Sequence, residues 1–229
     1  MRKTIIAPSV LSANLSCLLE DSRNVIDQGA DWIHLDVMDG HFVPNLSFGP
    51  PVIKSLRDGI SDVFFDCHMM VSHPWNWVEA VKKAGGSGYT FHIETTPEES
   101  QFFGLLNDIR AKGMKTGIAL KPGTQLSEML YDGIRRGLID MVLIMTVEPG
   151  FSGQKFMADM MEKVRSLRRD FPELNVEVDG GVKVENIDIV ADAGANVIVS
   201  ATGVFEHPNP REAIRVMRES IDSKQNNSN

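Results

Sequence analysis

The stretch Trp32-Ile33-His34-Leu35-Asp36-Val37-Met38-Asp39-Gly40 decides how the rest of the chain is read. Residues 32 to 37 read as a strand, in which every second side chain points the same way, so His34, Asp36 and Met38 share a face. Imidazole, carboxylate and thioether at successive inward steps make a poor core but a serviceable metal edge. The run Phe64-Phe65-Asp66-Cys67-His68-Met69-Met70 repeats the arrangement, with Asp66, His68 and Met70 on one parity. Near the other end, Val176-Glu177-Val178-Asp179-Gly180-Gly181 closes a third strand with an acid and two glycines. Two histidines and two aspartates, each at the carboxyl end of a predicted strand, are enough to build a site.

Working outward, β-type runs recur at Thr4 to Ser9, Trp32 to Val37, Asp62 to Met70, Gly88 to Ile93, Lys115 to Leu120, Ile139 to Thr146, Leu174 to Asp179 and Ala195 to Ser200. The intervening segments mostly carry helical periodicity, as a repeated βα unit requires. After Gln154, for example, Phe156, Met160, Val164 and Leu167 line one side while Lys163, Arg165, Arg168 and Arg169 occupy others. Ile214, Met217 and Ile221 repeat the pattern near the C-terminus. Strands joined by right-handed crossovers form a parallel sheet, and eight such units close into a barrel with helices outside. An open doubly wound sheet is the alternative, but no Gly-x-Gly-x-x-Gly follows the first run. The reading is therefore α/β: a single-domain (β/α)8 TIM barrel over residues 1–222, with its chemistry at the carboxyl ends of the strands.

The totals agree with one such domain. The 229 residues fit a barrel, for which about 250 is usual, and 42% hydrophobic with 24% charged residues is ordinary globular composition. No apolar run approaches the ~18 residues of a membrane span. Net charge is −8, and no basic cluster is longer than Arg135-Arg136 or Arg168-Arg169, so neither membrane nor nucleic acid is an expected partner. An anionic ligand has to be held locally, against the overall field. Cys17 and Cys67 fall on a predicted helix and on the outward face of a strand, which argues against a disulfide framework and for a reducing compartment. Met1 to Ala7 runs directly into the first strand and leaves no room for a cleaved presequence, so a cytoplasmic location is expected. Residues 223–229 are polar without periodicity and read as a disordered tail.

Among the chemistry-bearing residues, Ser9 ends the first strand with inward parity; its hydroxyl reaches a ligand or caps the turn before Leu11-Ser12-Ala13-Asn14, with nothing in the sequence to choose between them. His34, Asp36, His68 and Asp179 form a nitrogen and oxygen donor set that suits zinc, iron, manganese or cobalt. A lone strand histidine is usually a hydrogen-bonded core group, but two joined by two carboxylates at equivalent barrel positions favour a metal. His92 and Glu94 compete for the same role and read better as outer hydrogen-bonding partners, because no glycine turn follows them. The segment Met145-Thr146-Val147-Glu148-Pro149-Gly150-Phe151-Ser152-Gly153-Gln154 leaves the sixth strand through a Pro-Gly turn and is expected to enter a helix near Lys155, forming an anion nest at its N-terminus. Asp179-Gly180-Gly181 and Ala201-Thr202-Gly203 offer equally close backbone approach, and three consecutive loops of this kind argue for a phosphate monoester. Lys155 either adds charge or is a solvated helix-start lysine, the second being the commoner case. Met38, Met70 and Met145 either fill core gaps or give an apolar floor that keeps water from a reactive intermediate.

Together these residues resemble one family closely, ribulose-phosphate 3-epimerase. His34 to Asn45 resembles its second-strand signature, Cys67-His68-Met69-Met70-Val71 its third-strand signature, Met145 to Phe151 its sixth-loop signature and Val178-Asp179-Gly180-Gly181-Val182 its seventh-strand signature. The likeness runs in matching order from residue 4 to about residue 220. It implies a metal-dependent barrel enzyme interconverting D-ribulose 5-phosphate and D-xylulose 5-phosphate. It implies one divalent ion on His34, Asp36, His68 and Asp179, with Asp36 and Asp179 as the acid and base, and Ser9 and His68 at the substrate. Backbone of Gly150, Phe151, Ser152, Gly153, Gly180, Gly181, Ala201 and Thr202 would hold the phosphate. Inverting the carbon beside a ketone needs a proton removed on one face and returned on the other, through an enediolate whose charge a metal stabilises. A homo-oligomer, dimer or higher, is also expected.

Two departures stand out. The family commonly has Gly-Phe-Gly-Gly where this chain has Gly150-Phe151-Ser152-Gly153, and Gly-Ser where it has Ala201-Thr202. Both Ser152 and Ala201 restrict positive φ, so the nest suffers only if those positions need it. The rival readings are a hexulose 6-phosphate (allulose 6-phosphate) 3-epimerase using the same residues and, from another class, a non-catalytic phosphosugar-binding protein, which would have no need of both acids.

Overall fold

The computed structural model describes residues 2–227. Eight strands, β1 (Ile5–Pro8), β2 (Trp32–Met38), β3 (Phe64–Met70), β4 (Gly88–His92), β5 (Lys115–Leu120), β6 (Met141–Met145), β7 (Asn175–Asp179) and β8 (Val197–Ser200), form one parallel sheet. Its order is β1-β8-β7-β6-β5-β4-β3-β2, and a parallel bridge between Ser9 and His34 joins its two ends into a barrel. Helices α1 (Leu18–Asp27), α2 (Pro50–Gly59), α3 (Val78–Ala84), α4 (Glu99–Ala111), α5 (Glu128–Arg135), α6 (Met161–Asp170), α7 (Ile187–Ala193), the short α8 (Thr202–Phe205) and α9 (Pro210–Asn227) lie between and after the strands. No helix among the described residues is long and apolar enough to cross a membrane.

Alternation divides each strand between two environments. In β2, Ile33, Leu35 and Val37 belong to the main hydrophobic cluster, together with Phe65, Cys67 and Met69 of β3, Tyr89 and Phe91 of β4 and the buried faces of the helices. That cluster lies outside the sheet, under the helices. Along the axis, Ile5, Met141 and Val197, with Trp32 against them, plug the amino end. Ala119, Leu143, Met145 and Val147 form a smaller apolar group toward the other end. Between them the inward positions of β2, β3, β4 and β7 include a buried polar set, His34, Asp36, Asp66, His68, Thr90, His92 and Glu177, with Met38 and Met70 beyond it.

Two arginines that periodicity alone places with the other helix-surface charges, or leaves unremarked, are structural clamps. Arg168 of α6 donates from Nε to Gly194 O (2.8 Å), from one terminal nitrogen to the carbonyls of Pro172 and Leu174 (2.9 and 2.6 Å), and from the other to Asn196 Oδ1 (2.9 Å). Arg57 of α2 repeats this with Gly85 O (3.0 Å), the carbonyls of Ile60 and Val63 (both 2.9 Å) and Ser87 Oγ (3.2 Å). Carbonyls left over where a helix ends and the next strand begins thus find donors. Lys163 also turns inward, donating to the carbonyls of Pro122 (2.7 Å) and Thr124 (2.6 Å) rather than standing in water.

Residues 223–227, expected as tail, continue α9. Ile221 is buried, Thr4 Oγ1 donates to Asp222 Oδ1 (2.5 Å), and Gln225 Nε2 reaches Thr4 Oγ1 (3.3 Å), so the last turns are tied to the start of β1. Ser228 and Asn229 lie outside the described residues.

Asp31 anchors the same seam. Its carboxylate accepts from Ile6 N–H (3.0 Å) and Arg218 (2.8 Å) and pairs with Lys3 (3.0 Å). Burial opposes its ionisation, but the Ile6 amide, Arg218 and Lys3 outweigh burial and hold the carboxyl below its ordinary value. A depressed carboxyl contributes stability above its unfolded pKa, and that stability is lost as pH falls through the folded value. Asp31→Asn is therefore expected to cost roughly 1–2 kcal/mol at pH 7, with the gap to the parent narrowing as the pH falls below the ordinary carboxyl range, as read from urea unfolding across an acid pH series.

Candidate active site

The polar inward residues meet toward the carboxyl end of the barrel because Asp36, His68, His92 and Asp179 are the last or next-to-last inward positions of their strands, with His34 one step below Asp36. His34 Nε2 lies 3.3 Å from Asp36 Oδ1 and 3.8 Å from Asp179 Oδ2. His68 Nδ1 lies 2.9 Å from Asp36 Oδ1, 3.8 Å from Asp179 Oδ2 and 3.4 Å from His34 Nε2. One donor atom from each of the four residues falls within 4.8 Å of the other three. An ion with nitrogen and oxygen ligands at about 2.0–2.2 Å separates its donors by roughly 3–3.6 Å, so this set fits a divalent transition ion in chemistry and in spacing. Sequence reasoning named all four.

Electrostatics separates the two aspartates. Burial pushes against ionisation of Asp36, yet His34 and His68 beside it hold its carboxyl far below the ordinary range. Asp179 goes the other way, pushed up to about 6 by burial and by the charge on Asp36. His34 is fully buried, which alone would strip its proton, but Asp36 and Asp66 raise its pKa well above the usual imidazole value. A cation bound among these donors displaces protons from them.

The supporting residues were the ones less visible in sequence. Asp66 Oδ2 lies 2.8 Å from His34 Nδ1, and Thr90 donates to Asp66 Oδ1 (3.0 Å). A carboxylate only accepts, so His34 keeps its proton on Nδ1 and turns Nε2 toward the cluster. Below it, Glu177 is buried with both carboxyl oxygens lacking a hydrogen-bond partner; burial and the Asp66 charge keep this group neutral well above the ordinary range. Asp66 and Glu177 precede His68 and Asp179 by two residues, so the strand period that picked out the ligands also picks out what lies beneath them. His92 and Glu94 take the outer role expected of them: His92 Nδ1 is 3.1 Å from Glu94 Oε2, and His92 Nε2 is 2.9 Å from His68 Nε2. Burial brings His92 down to about 4, while hydrogen bonds from His92, Thr124 and Lys121 outweigh burial and bring Glu94 to about 2.

Above the cluster is a cavity of about 500 Å3 lined by Ser9, Asp36, Asp179, Met38, Met70, Met145, Gly150 to Gly153, Gly180, Gly181, Ala201 and Thr202. Ser9 lines this cavity and takes its capping role. Its Oγ donates to Asp36 Oδ2 (2.5 Å) and accepts the Leu11 N–H (3.3 Å) at the start of a short 3-10 turn.

A family model described as the ribulose-phosphate 3 epimerase family matches residues 5–205. The chain belongs to that family. It is accordingly an enzyme, an isomerase of the epimerase kind. Among its relatives, the ribulose-phosphate 3-epimerase cytoplasmic isoform of Oryza sativa subsp. japonica is 48% identical over 223 residues, covering 97% of this chain and 96% of that protein. The ribulose-phosphate 3-epimerase of Candida glabrata is 45% identical over 236 residues, covering 96% and 94%. The barrel is also similar to KGPDC from Streptococcus mutans, with TM-score 0.74 over 95% of this chain and 97% of that one; at 14% identity this likeness speaks to the fold alone.

Against the ribulose-phosphate 3-epimerase pattern, the two departures cost the backbone nothing. Among the described residues only glycines take positive φ, and Ala201 sits at −93°. The left-handed positions of the cradle are Gly150, Gly153, Gly180 and Gly181, all retained as glycine. One expectation fails: no helix begins near Lys155. The chain stays irregular to Met157, a 3-10 turn follows at Ala158–Met160, and α6 opens at Met161. The loop is closed on itself instead, by Gln154 Nε2 donating to the carbonyls of Glu148 (2.7 Å) and Phe151 (2.8 Å) and by Met157 N–H donating to Thr146 O (2.9 Å). Asn45 Nδ2 ties it to the second loop through Gly150 O (2.7 Å). Lys155 is exposed and does not line the cavity.

Gly181 has φ +68°, and a Cβ there would sit 2.7 Å from Gln154 O and Phe156 N. Gly181→Ala is expected to destabilise the protein by about 2–4 kcal/mol, whereas Ser152→Gly should change thermal stability by under about 0.5 kcal/mol; differential scanning calorimetry of the two variants checks the pair.

Proposed function

We propose that this epimerase interconverts D-ribulose 5-phosphate and D-xylulose 5-phosphate at C3 by proton transfer between the substrate and the carboxyl groups of Asp36 and Asp179. The observation that carries this reading is the convergence of two carboxyl groups with opposed proton affinities, from β2 and β7, on one cavity. Environments that push two acids apart are how one site supplies both a base and an acid near neutral pH. In either direction one aspartate takes the C3 proton while the other returns a proton to the opposite face.

The chain's other residues fill the remaining roles. Backbone of Gly150 to Gly153, Gly180, Gly181, Ala201 and Thr202 receives the phosphate, whose binding energy orients the reacting carbon. Ser9, hydrogen-bonded to Asp36, and His68 lie on the substrate side. Met38, Met70 and Met145 line the cavity at 2–5% exposure and keep water from the carbanion. A divalent cation held by His34, Asp36, His68 and Asp179 would supply Lewis-acid stabilisation of the negative charge that develops beside the ketone, worth several kcal/mol. Which ion among zinc, iron, manganese and cobalt it is can be read by elemental analysis of protein purified without added metal. A phosphosugar partner and a cytoplasmic location are supported by the named activity and location of the rice relative; assembly into a homo-oligomer is part of the proposal and is measured by light scattering.

Asp36→Asn and Asp179→Asn are each expected to lower turnover by about 10^2–10^4-fold, with phosphate competition nearly unchanged. Substrate turned over in heavy water should gain deuterium at C3. Near-normal turnover by either variant overturns the two-acid reading, and faster turnover of a six-carbon 6-phosphate than of ribulose 5-phosphate overturns the substrate.

A further inference from the structure

The two imidazoles of the donor cluster are held differently. His34 leans directly on Asp66, but the outer nitrogen of His68 faces no carboxylate. It faces the ring of His92 on the neighbouring strand, Nε2 to Nε2 at 2.9 Å. Only one of two nitrogens at that distance carries a proton if the contact is a hydrogen bond.

Proton counting from the far end decides which. Glu94 Oε1 already accepts from the Lys121 N–H (2.8 Å) and the Thr124 hydroxyl (2.5 Å), and Oε2 lies 3.1 Å from His92 Nδ1. A carboxylate offers no proton, so His92 donates from Nδ1 and its Nε2 bears a lone pair. That lone pair accepts the Nε2 proton of His68. Nδ1 of His68, 2.9 Å from Asp36 Oδ1 and 3.4 Å from His34 Nε2, is then the nitrogen left to ligate: free of a cation it carries the proton it donates to Asp36, and a bound cation would take that proton's place. The acceptor end is fixed in its turn: Lys163 of α6 grips the carbonyls of Pro122 and Thr124, the loop that presents the two donors to Glu94. Phe42 packs against the His92 ring, centroids 4.7 Å apart.

We propose that Glu94 and His92 are positioning residues which, through the hydrogen-bond chain Glu94–His92–His68, hold the Nε2 proton of His68 in place, leave its Nδ1 as the nitrogen that ligates and so set the donor cluster's affinity for a divalent cation. This rests on the reading of the cluster as a cation site. Neither residue touches the substrate cavity.

Glu94→Gln tests it sharply. If the amide oxygen keeps the two loop donors, the NH2 faces His92 Nδ1, which must then accept; His92 Nε2 becomes the donor, Nε2 of His68 accepts, and the one proton of His68 stays on Nδ1, where it blocks a ligand position. On chelator-treated protein labelled with 15N-histidine, long-range nitrogen–proton spectra should show Nε2 of His68 protonated in the parent and unprotonated in the variant. Competition with a chromophoric chelator should show Co(II) affinity falling about 10–100-fold, while the melting temperature of the chelated protein stays within about 2 °C. Should Glu94→Gln not fold, Glu94→Ala is read the same way, with partial protonation of His68 Nε2 and a smaller loss. A His68 Nε2 still fully protonated in both variants overturns the relay, whatever the affinity does. A parent protein that takes up no Co(II) overturns instead the cation reading beneath it.

Discussion

Ionisable groups on the axis of a barrel have to be satisfied by one another, because there is almost no water to do it. A barrel of this kind ordinarily fills its interior with branched aliphatic side chains. Here apolar groups close the amino end and flank the opposite one, and between them stand imidazoles and carboxylates whose isolated burial would be prohibitive. Thr90 serves Asp66, Asp66 serves His34, Ser9 and His68 serve Asp36, and Glu94 serves His68 through His92. The odd member is Glu177, which escapes the penalty by staying uncharged. Each bond in this column also orients a donor, so the requirement of burial and the geometry of the site are one constraint.

The loops at the carboxyl end are held to each other as well as to their strands. Asp39, after β2, accepts the amide and hydroxyl of Ser72 after β3, both within 2.8 Å, and Asn45 bonds the carbonyl of Gly150 after β6. The amino end is secured differently, by arginine side chains that collect the stray carbonyls of helix-to-strand turns. Changes in one set of contacts leave the other intact, which lets the substrate end vary while the closure of the barrel does not.

Much of this was legible in the chain. The alternation in Ile33-His34-Leu35-Asp36-Val37 states both that the segment is a strand and which side chains look inward, and equivalent runs gave all eight strands to within two residues at either end. The four donors followed from parity because a strand converts sequence spacing directly into direction. Asp66 was placed on the inward parity without a role and Glu177 was not singled out, because a buried supporting acid and a structural one look alike until their neighbours are known. What Arg168 and Lys163 reach was not legible, because helical periodicity describes where a side chain starts, not where a long flexible one ends. The tail was misread for a related reason: polar residues 223–227 are helical through contacts with Thr4, which no local pattern reveals. The loop after β6 was given a helix start it does not have: Gln154 closes the loop on the carbonyls of Glu148 and Phe151, and α6 opens only at Met161.

The arginine clamps have a counterpart that changes how the molecule as a whole is seen. Asp140 takes the Thr116 amide, Lys115 and Arg110 just as Asp31 takes the Ile6 amide, Lys3 and Arg218, and Arg168 holds its turns just as Arg57 does. The first four βα units and the last four therefore carry the same fastenings in the same order. With Thr4 hydrogen-bonded to Asp222, the start of β1 and the last turns of α9 lie side by side. The seam where α9 meets β1 is thus fastened by Asp31 as the seam where α4 meets β5 is fastened by Asp140, and the ring of βα units is continuous in space where the sequence is not.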